Sequence, residues 1–190
     1  CTIGYFQGME MEIDIKQALE ANIECVRRLT GGGAVMHDQN QFTYSLIIPE
    51  ELVAKNILES YEQICNGLIN GLKGLGLDCE FSPLNDIVLD GQKISGNAQT
   101  RKGGVVLQHG TLLLEVDVDL MFSLLKVPDE KMKDKLIKSV KKRVTGVNRH
   151  LEHDLDFDSA CTLFLESFTE EFKFSSVTQF DLDSLEDQIK

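Results

Sequence analysis

A chain of 190 residues with 42% hydrophobic and 26% charged side chains is long enough to bury one substantial core and has the balance of an ordinary soluble globular domain. A formal charge of −12 argues against nonspecific attraction to nucleic acid or to an anionic membrane, since both require basic surface. Five widely spaced cysteines, an odd number with no CxxC pair, fit a reducing compartment better than a disulfide framework or structural zinc. With no signal peptide and no apolar run near the ~18–20 residues of a membrane span, the chain reads as cytoplasmic.

In chain order, Cys1–Gln7 reads as a short strand, and Asp14 is placed to cap a helix to about Ala21 with Ile15, Ala18 and Leu19 on one face. Ile23–Leu29 returns as a strand and delivers RRLTGGGAVMHD, Arg27–Asp38. Phe42–Pro49, aromatic and β-branched and closed by proline, is a strand. From Glu50 or Glu51 the longest helical pattern of the chain places Leu52, Val53, Ile57, Leu58, Tyr61, Ile64, Cys65, Leu68, Ile69, Leu72 and Leu75 at helical spacing, ended by Gly74 and Gly76. Asp86–Leu89, an Asp90-Gly91 turn and Gln92–Gly96 form a hairpin. Gly104–Gln108 and Gly110–Val116 supply two more strands. Asp119–Lys126 and a basic Asp129–Lys142 are helices separated by Pro128. Phe157–Phe172 is an amphipathic helix, and Asp181–Lys190 begins another. Strands in hairpins interleaved with long helices give an α+β fold, a mostly antiparallel sheet with flanking helices. No GxxxxGK[ST] loop and no GxGxxG after a strand is present, so a bound nucleotide would be held by another device.

Two stretches carry chemistry. Gly31, Gly32 and Gly33, flanked by Arg27, Arg28, His37 and Asp38, make either a cradle for an anionic ligand or a plain glycine hairpin. Asn85–Leu114 places Lys93 inside a glycine-rich hairpin, followed by His109-Gly110-Thr111; taken alone, Lys93 reads first as a solvated hairpin lysine and only second as a reactive one. Arg101 and Lys102 join Arg27 and Arg28 as a local basic group within an acidic chain. His37 reads either as a ligand contact or as a buried histidine satisfied by Asp38. His150 and His153 lack a third ligand in view and read as surface histidines.

RRLTGGGAVMHD resembles the arginine-glycine signature of the lipoate–protein ligase A family, within the biotin/lipoate ligase-like catalytic fold. The likeness continues through NDIVLDGQKISGNAQ, HGTLLL and the basic helix with KKRVTGVN, and covers residues 1–150 in the family's order. The resemblance implies an ATP-dependent lipoate–protein ligase. Lipoate or octanoate attacks ATP to give acyl-AMP, lipoyl-AMP in the first case, with Mg2+ at the phosphates. The acyl group then passes to a lysine of a lipoyl-domain or glycine cleavage H-type acceptor. On that pattern Lys93 is the catalytic lysine. Arg28, Thr30, Gly31, Gly32, Gly33, Ala34, His37, Asp38, Gly96, Asn97, Ala98, His109, Gly110 and Thr111 hold substrate and nucleotide, with Gln99 in the same pocket. Asn85 and Asp86 stand at a magnesium position or, in the plainer reading, at a strand entry.

The chain departs from the pattern in three places. Gln39–Gln41 is a short loop, so a family asparagine cannot be placed on Asn40. Ala98–Gly110 also resembles cysteine-dependent octanoyltransferases of the same superfamily, which makes Cys79 an alternative nucleophile for an ATP-independent thioester route, or else a small core residue. The accessory C-terminal domain of long ligases has no room, so one catalytic domain spans 1–190, with a separate small accessory subunit as an expected partner. The family's opening strand and helix are expected to be missing before Cys1.

Overall fold

The structure, a computed structural model, describes residues 1–127 and 133–175. Its centre is a five-stranded antiparallel sheet in the order β3-β7-β6-β5-β4, formed by Gln41–Pro49 (β3), Cys79–Ser82 (β4), Asp86–Leu89 (β5), Gln92–Lys102 (β6) and Val105–Leu113 (β7). Thr2–Ile3 (β1) and Val26–Arg27 (β2) form a separate parallel pair. The helices are Met9–Glu12 (α1), Ile15–Glu20 (α2), Ile57–Gly74 (α3), Val118–Leu124 (α4), Lys133–Arg143 (α5) and Phe157–Phe172 (α6).

Local chemistry explains most of these bounds. Asp90 (φ 50°) and Gly91 (φ 73°) supply the left-handed pair that a tight β5–β6 hairpin needs. Asp14, Asp117 and Asp156 cap α2, α4 and α6 by accepting from the main-chain N–H of Gln17, Leu120 and Ser159. The expected α+β architecture is present, with corrections in detail. The long helix begins at Ile57 rather than Glu50, because Asn56 accepts from the N–H groups of Leu58 and Glu59; Glu50–Leu52 forms only a 3-10 turn. Leu52 and Ile57 are consequently exposed. Leu19 is exposed on α2 while Ala18 is buried. The two strands expected around Gly110 are one strand, and β6 runs on past Gly96 to turn at Gly103-Gly104. Gly110 interrupts nothing: a Cβ there would lie 2.0 Å from Asn97 Oδ1, so its bareness is a packing requirement. The short edge strand β4 adds to the strands expected and pairs with β5. Pro128, the start of the Asp129–Lys142 helix and the Asp181–Lys190 helix lie outside the described residues.

Side-chain alternation gives the sheet two faces. One packs Phe42, Ile87, Leu89, Ile94 and Leu112 against α3 and α6 in the main core, with Ile64, Leu68, Leu72, Phe164 and Phe168. A small second core of Ile3, Ile13 and Ala18 holds β1, β2, α1 and α2 together. The other face of the sheet carries the site.

Candidate active site

Register sets the floor. Gly96 lies opposite Thr111, Ala98 opposite His109 and Gln41 opposite Leu113, and all six line one cavity of about 340 Å³. Gly32, Gly33 and Ala34 of the glycine loop wall one side, and Val116, Met121, Val140 and Val144 from α4, α5 and their flanks close it with apolar surface. One chamber therefore combines polar groups at the loop end with a lining suited to a hydrocarbon chain.

Lys93 sits on β6 opposite Val88, and its carbonyl accepts from the N–H of Thr145 at 3.0 Å. Its Nζ lies 2.7 Å from Asp86 Oδ1, with the two side chains 39% and 32% exposed. The contact is a close ion pair that fixes where the ammonium stands. Gly96 makes room for the lysine stem, since a Cβ there would stand 2.8 Å from Nζ and 3.0 Å from Cε.

The loop is reeled in by Arg28, whose Nη2 donates to the carbonyls of Gly31 (2.8 Å) and Gly33 (2.7 Å). Gly32 holds φ +95°, and a Cβ on Gly4 would lie 2.0 Å from its carbonyl oxygen, so backbone rests on backbone there. With the carbonyls of Gly31 and Gly33 turned to Arg28, the N–H groups of Gly32, Gly33 and Ala34 meet no protein acceptor among the described residues. His109 Nε2 lies 2.6 Å from Thr30 Oγ1, and His37 Nε2 lies 2.9 Å from Thr2 Oγ1. Burial pushes both imidazoles below their ordinary pKa, with nearby positive charge, Arg28 included, adding to it, which keeps them neutral at pH 7.

The structure thus brings Arg28, Gly32, Gly33, Ala34, His37, Asn85, Lys93, Gly96, Asn97, Ala98, His109, Gly110 and Thr111 to one cavity. Thr30 lies buried behind it, and Gly31 serves only as an Arg28 acceptor. Asp38 does not satisfy His37; it accepts from the N–H of Asn40, and Thr2 takes the histidine. Gln99 faces the core side, bonded to Ser60 and Gln108. Of the basic group only Arg28 reaches the cavity: Arg27 is spent on the carbonyls of Gly4, Tyr5 and Gln7, and Arg101 on Glu50, Ala54 and Ser60. Asn85 and Asp86 are committed to Asn97 and Lys93 rather than arranged around an ion. Among the described residues no group of three or more His, Cys, Asp or Glu side chains could hold a metal. Cys79 pairs with Leu89 on the core face, 4% exposed, its thiol pushed up to about 11 by burial and then by nearby Asp78 and Asp90. It does not line the cavity. The apolar wall of Met36, Val116, Met121, Val140 and Val144 escaped the sequence reading, because it is gathered from segments far apart in the chain.

Residues 1–169 match the family model of the lipoyl protein ligase A/B catalytic domain. Octanoyltransferase LipM of Geobacillus kaustophilus (strain HTA426) is 36% identical over 192 residues, covering 88% of this chain and 69% of that protein. Octanoyltransferase LipM of Bacillus subtilis (strain 168) is 33% identical with the same coverage. Among solved structures, the bi-partite lipoate protein ligase of an archaeal lipoylation system, from Thermoplasma acidophilum, superposes with a TM-score of 0.84 at 32% identity, covering 99% of this chain and 74% of that one. These relatives correct the expectation of an ATP-dependent ligase: the curated sequences at 36% and 33% identity are octanoyltransferases, the alternative to which Ala98–Gly110 pointed. No helix of the described residues is long and apolar enough to cross a membrane.

Proposed function

Because the chain belongs to the lipoyl protein ligase A/B catalytic-domain family, we propose that it is an octanoyltransferase that moves an octanoyl group from a thioester donor to a lysine of a lipoyl-domain protein. In this reading ATP is not consumed and magnesium is not needed. The observation that carries it is the placement of the Lys93 ammonium, backed by Asp86 and seated over Gly96, at the polar end of an apolar chamber.

The octanoyl chain lies against Met121, Val140 and Val144, and its carbonyl meets Lys93. A lysine amine attacks the carbonyl carbon, and the oxygen gains negative charge. The Lys93 ammonium and the unpaired N–H groups of Gly32–Ala34 offset that charge in a partly dry site. The carbon–nitrogen bond forms, the carbon–sulfur bond breaks, and one amine proton leaves on the thiol. A thioester relay through Cys79 would instead use the thiol that now faces the core from the edge strand β4.

The test is intact mass spectrometry of a lipoyl domain incubated with the protein and octanoyl-N-acetylcysteamine, a small thioester, with and without ATP and magnesium. Acylation of the acceptor without ATP is the expected result. Acylation only from free octanoate plus ATP would overturn the proposal. Lys93→Ala should cut transfer by about 10²–10³-fold, the usual cost of losing one oxyanion-stabilising donor, with circular dichroism unchanged. A Cys79→Ala variant of full activity marks direct transfer, and its loss of activity together with a Cys79 adduct in the parent marks the relay.

A further inference from the structure

Gln41 opens β3 on the site face of the sheet, opposite Leu113. It is 7% exposed, and its Oε1 is buried without a hydrogen-bond partner. Buried carboxamides are nearly always paired, and an unpaired one destabilises the empty protein. Of its neighbours lining both cavities, Thr2 is engaged with His37 and Arg28 with the loop carbonyls. Gln41 lines the Lys93 cavity and also a second cavity of about 680 Å³, which shares Thr2, Arg28, His37 and His109 with the first. It therefore stands in the wall between two chambers, and Lys93 lines only one of them.

We propose that Gln41 is a positioning residue for the attacking amine: its carboxamide, whose Oε1 is closed off in the empty protein, turns about its soft terminal torsion so that the oxygen accepts an N–H hydrogen bond from the acceptor lysine as that lysine meets the acyl carbonyl. The inference rests on the acyl-transfer reading above. Of the groups this reaction brings to the carbonyl, the acyl chain and the leaving sulfur carry no polar hydrogen, whereas the amine carries two. The amine also gains positive charge as the carbon–nitrogen bond forms, and a fixed oxygen acceptor both aims its lone pair and offsets that charge. When one amine proton has left on the thiol, the remaining N–H belongs to the product amide and still points at Gln41.

Binding tests this without catalysis. Calorimetry would compare N-butyloctanamide, which mimics the acylated lysine, with butyl octanoate, in which oxygen replaces the N–H. The parent should prefer the amide by about tenfold, the usual worth of one net hydrogen bond. Gln41→Met, similar in size but without the acceptor, should bind both alike and melt no lower than the parent. Gln41→Glu, which keeps an acceptor oxygen, should retain the preference. A parent that binds both compounds equally or binds neither, or a Gln41→Met variant that still prefers the amide, overturns the proposal. Transfer of octanoate is read separately, so a Gln41-dependent preference in a protein without ATP-independent transfer would defeat the octanoyltransferase reading and leave this contact standing.

Discussion

Gly96 is bare because Lys93 lies over it. A methyl group at that position would stand 2.8 Å from Lys93 Nζ, so Gly96→Ala must swing the ammonium aside. The flexible lysine tip yields more readily than the strand, and the expected phenotype is a loss of transfer of tenfold or more with Tm almost unchanged. An active Gly96→Ala protein would show that the ammonium's present position is not the working one. The buried histidines carry a different signature. Folding lowers their pKa below the unfolded value of 6.5, so the unfolded chain binds protons more readily as pH falls. Their contribution to stability is complete above about 6.5 and is lost as pH falls through that value toward the lowered folded pKa. Tm should decline from pH 7.5 to pH 5.5, and a His37→Gln/His109→Gln double variant should decline less; a parent whose Tm holds level contradicts this. Single residues were the most legible part of the site. Lys93, the glycine run and His109-Gly110-Thr111 are local patterns; the β6–β7 register sets Gly96 and Ala98 beside Thr111 and His109, and the glycine loop is brought to them by packing. Thr2 and Gln41 were not legible, since nothing in a threonine or a glutamine announces which cavity it will face.

Elements were legible where one short signal fixes them and obscure where packing decides. The Asp90-Gly91 turn and the Asp156 cap could be read directly. The start of α3 could not: the apolar spacing continues back through Leu52, but Asn56 supplies a stronger stop by satisfying two N–H groups. Gly67 and Gly71 make the related point inside α3. Both are poor helix residues, yet α6 crosses there, and a Cβ on Gly67 would lie 2.4 Å from the ring of Phe168. Gly67→Ala gains about 1 kcal/mol in helix propensity but overpacks the crossing by about 1–3 kcal/mol. The net effect should be a loss of stability, measured as a lower denaturant midpoint, while Gly74→Ala at the open helix end should not destabilise. A stabilised Gly67→Ala protein would mean that α6 can shift outward without cost.

At the scale of the whole molecule the site lies between unequal parts. The five-stranded sheet rests on a broad core with α3 and α6, whereas β1, β2, α1 and α2 share only Ile3, Ile13 and Ala18 as fully buried apolar residues. The glycine loop springs from that smaller part. Native-state hydrogen exchange should find the amides of Thr2–Ile3 and Val26–Arg28 opening well before those of β6 and β7, and octanoyl ligands should slow them most. Uniform protection across both parts would refute this division.

The attachment of α5 has a further consequence. Val140 and Val144 form part of the chamber's ceiling, and the same short stretch grips the Lys93 hairpin: Lys142 accepts from Gln92 at 3.0 Å, and Thr145 donates to Lys93 at 3.0 Å. Lys141 also holds Asp119 at 2.6 Å and so ties this ceiling to α4. The ceiling and the lysine hairpin are therefore held by one and the same stretch of chain. Any guest that displaces α5 is expected to strain the hairpin backbone that carries Lys93 as well.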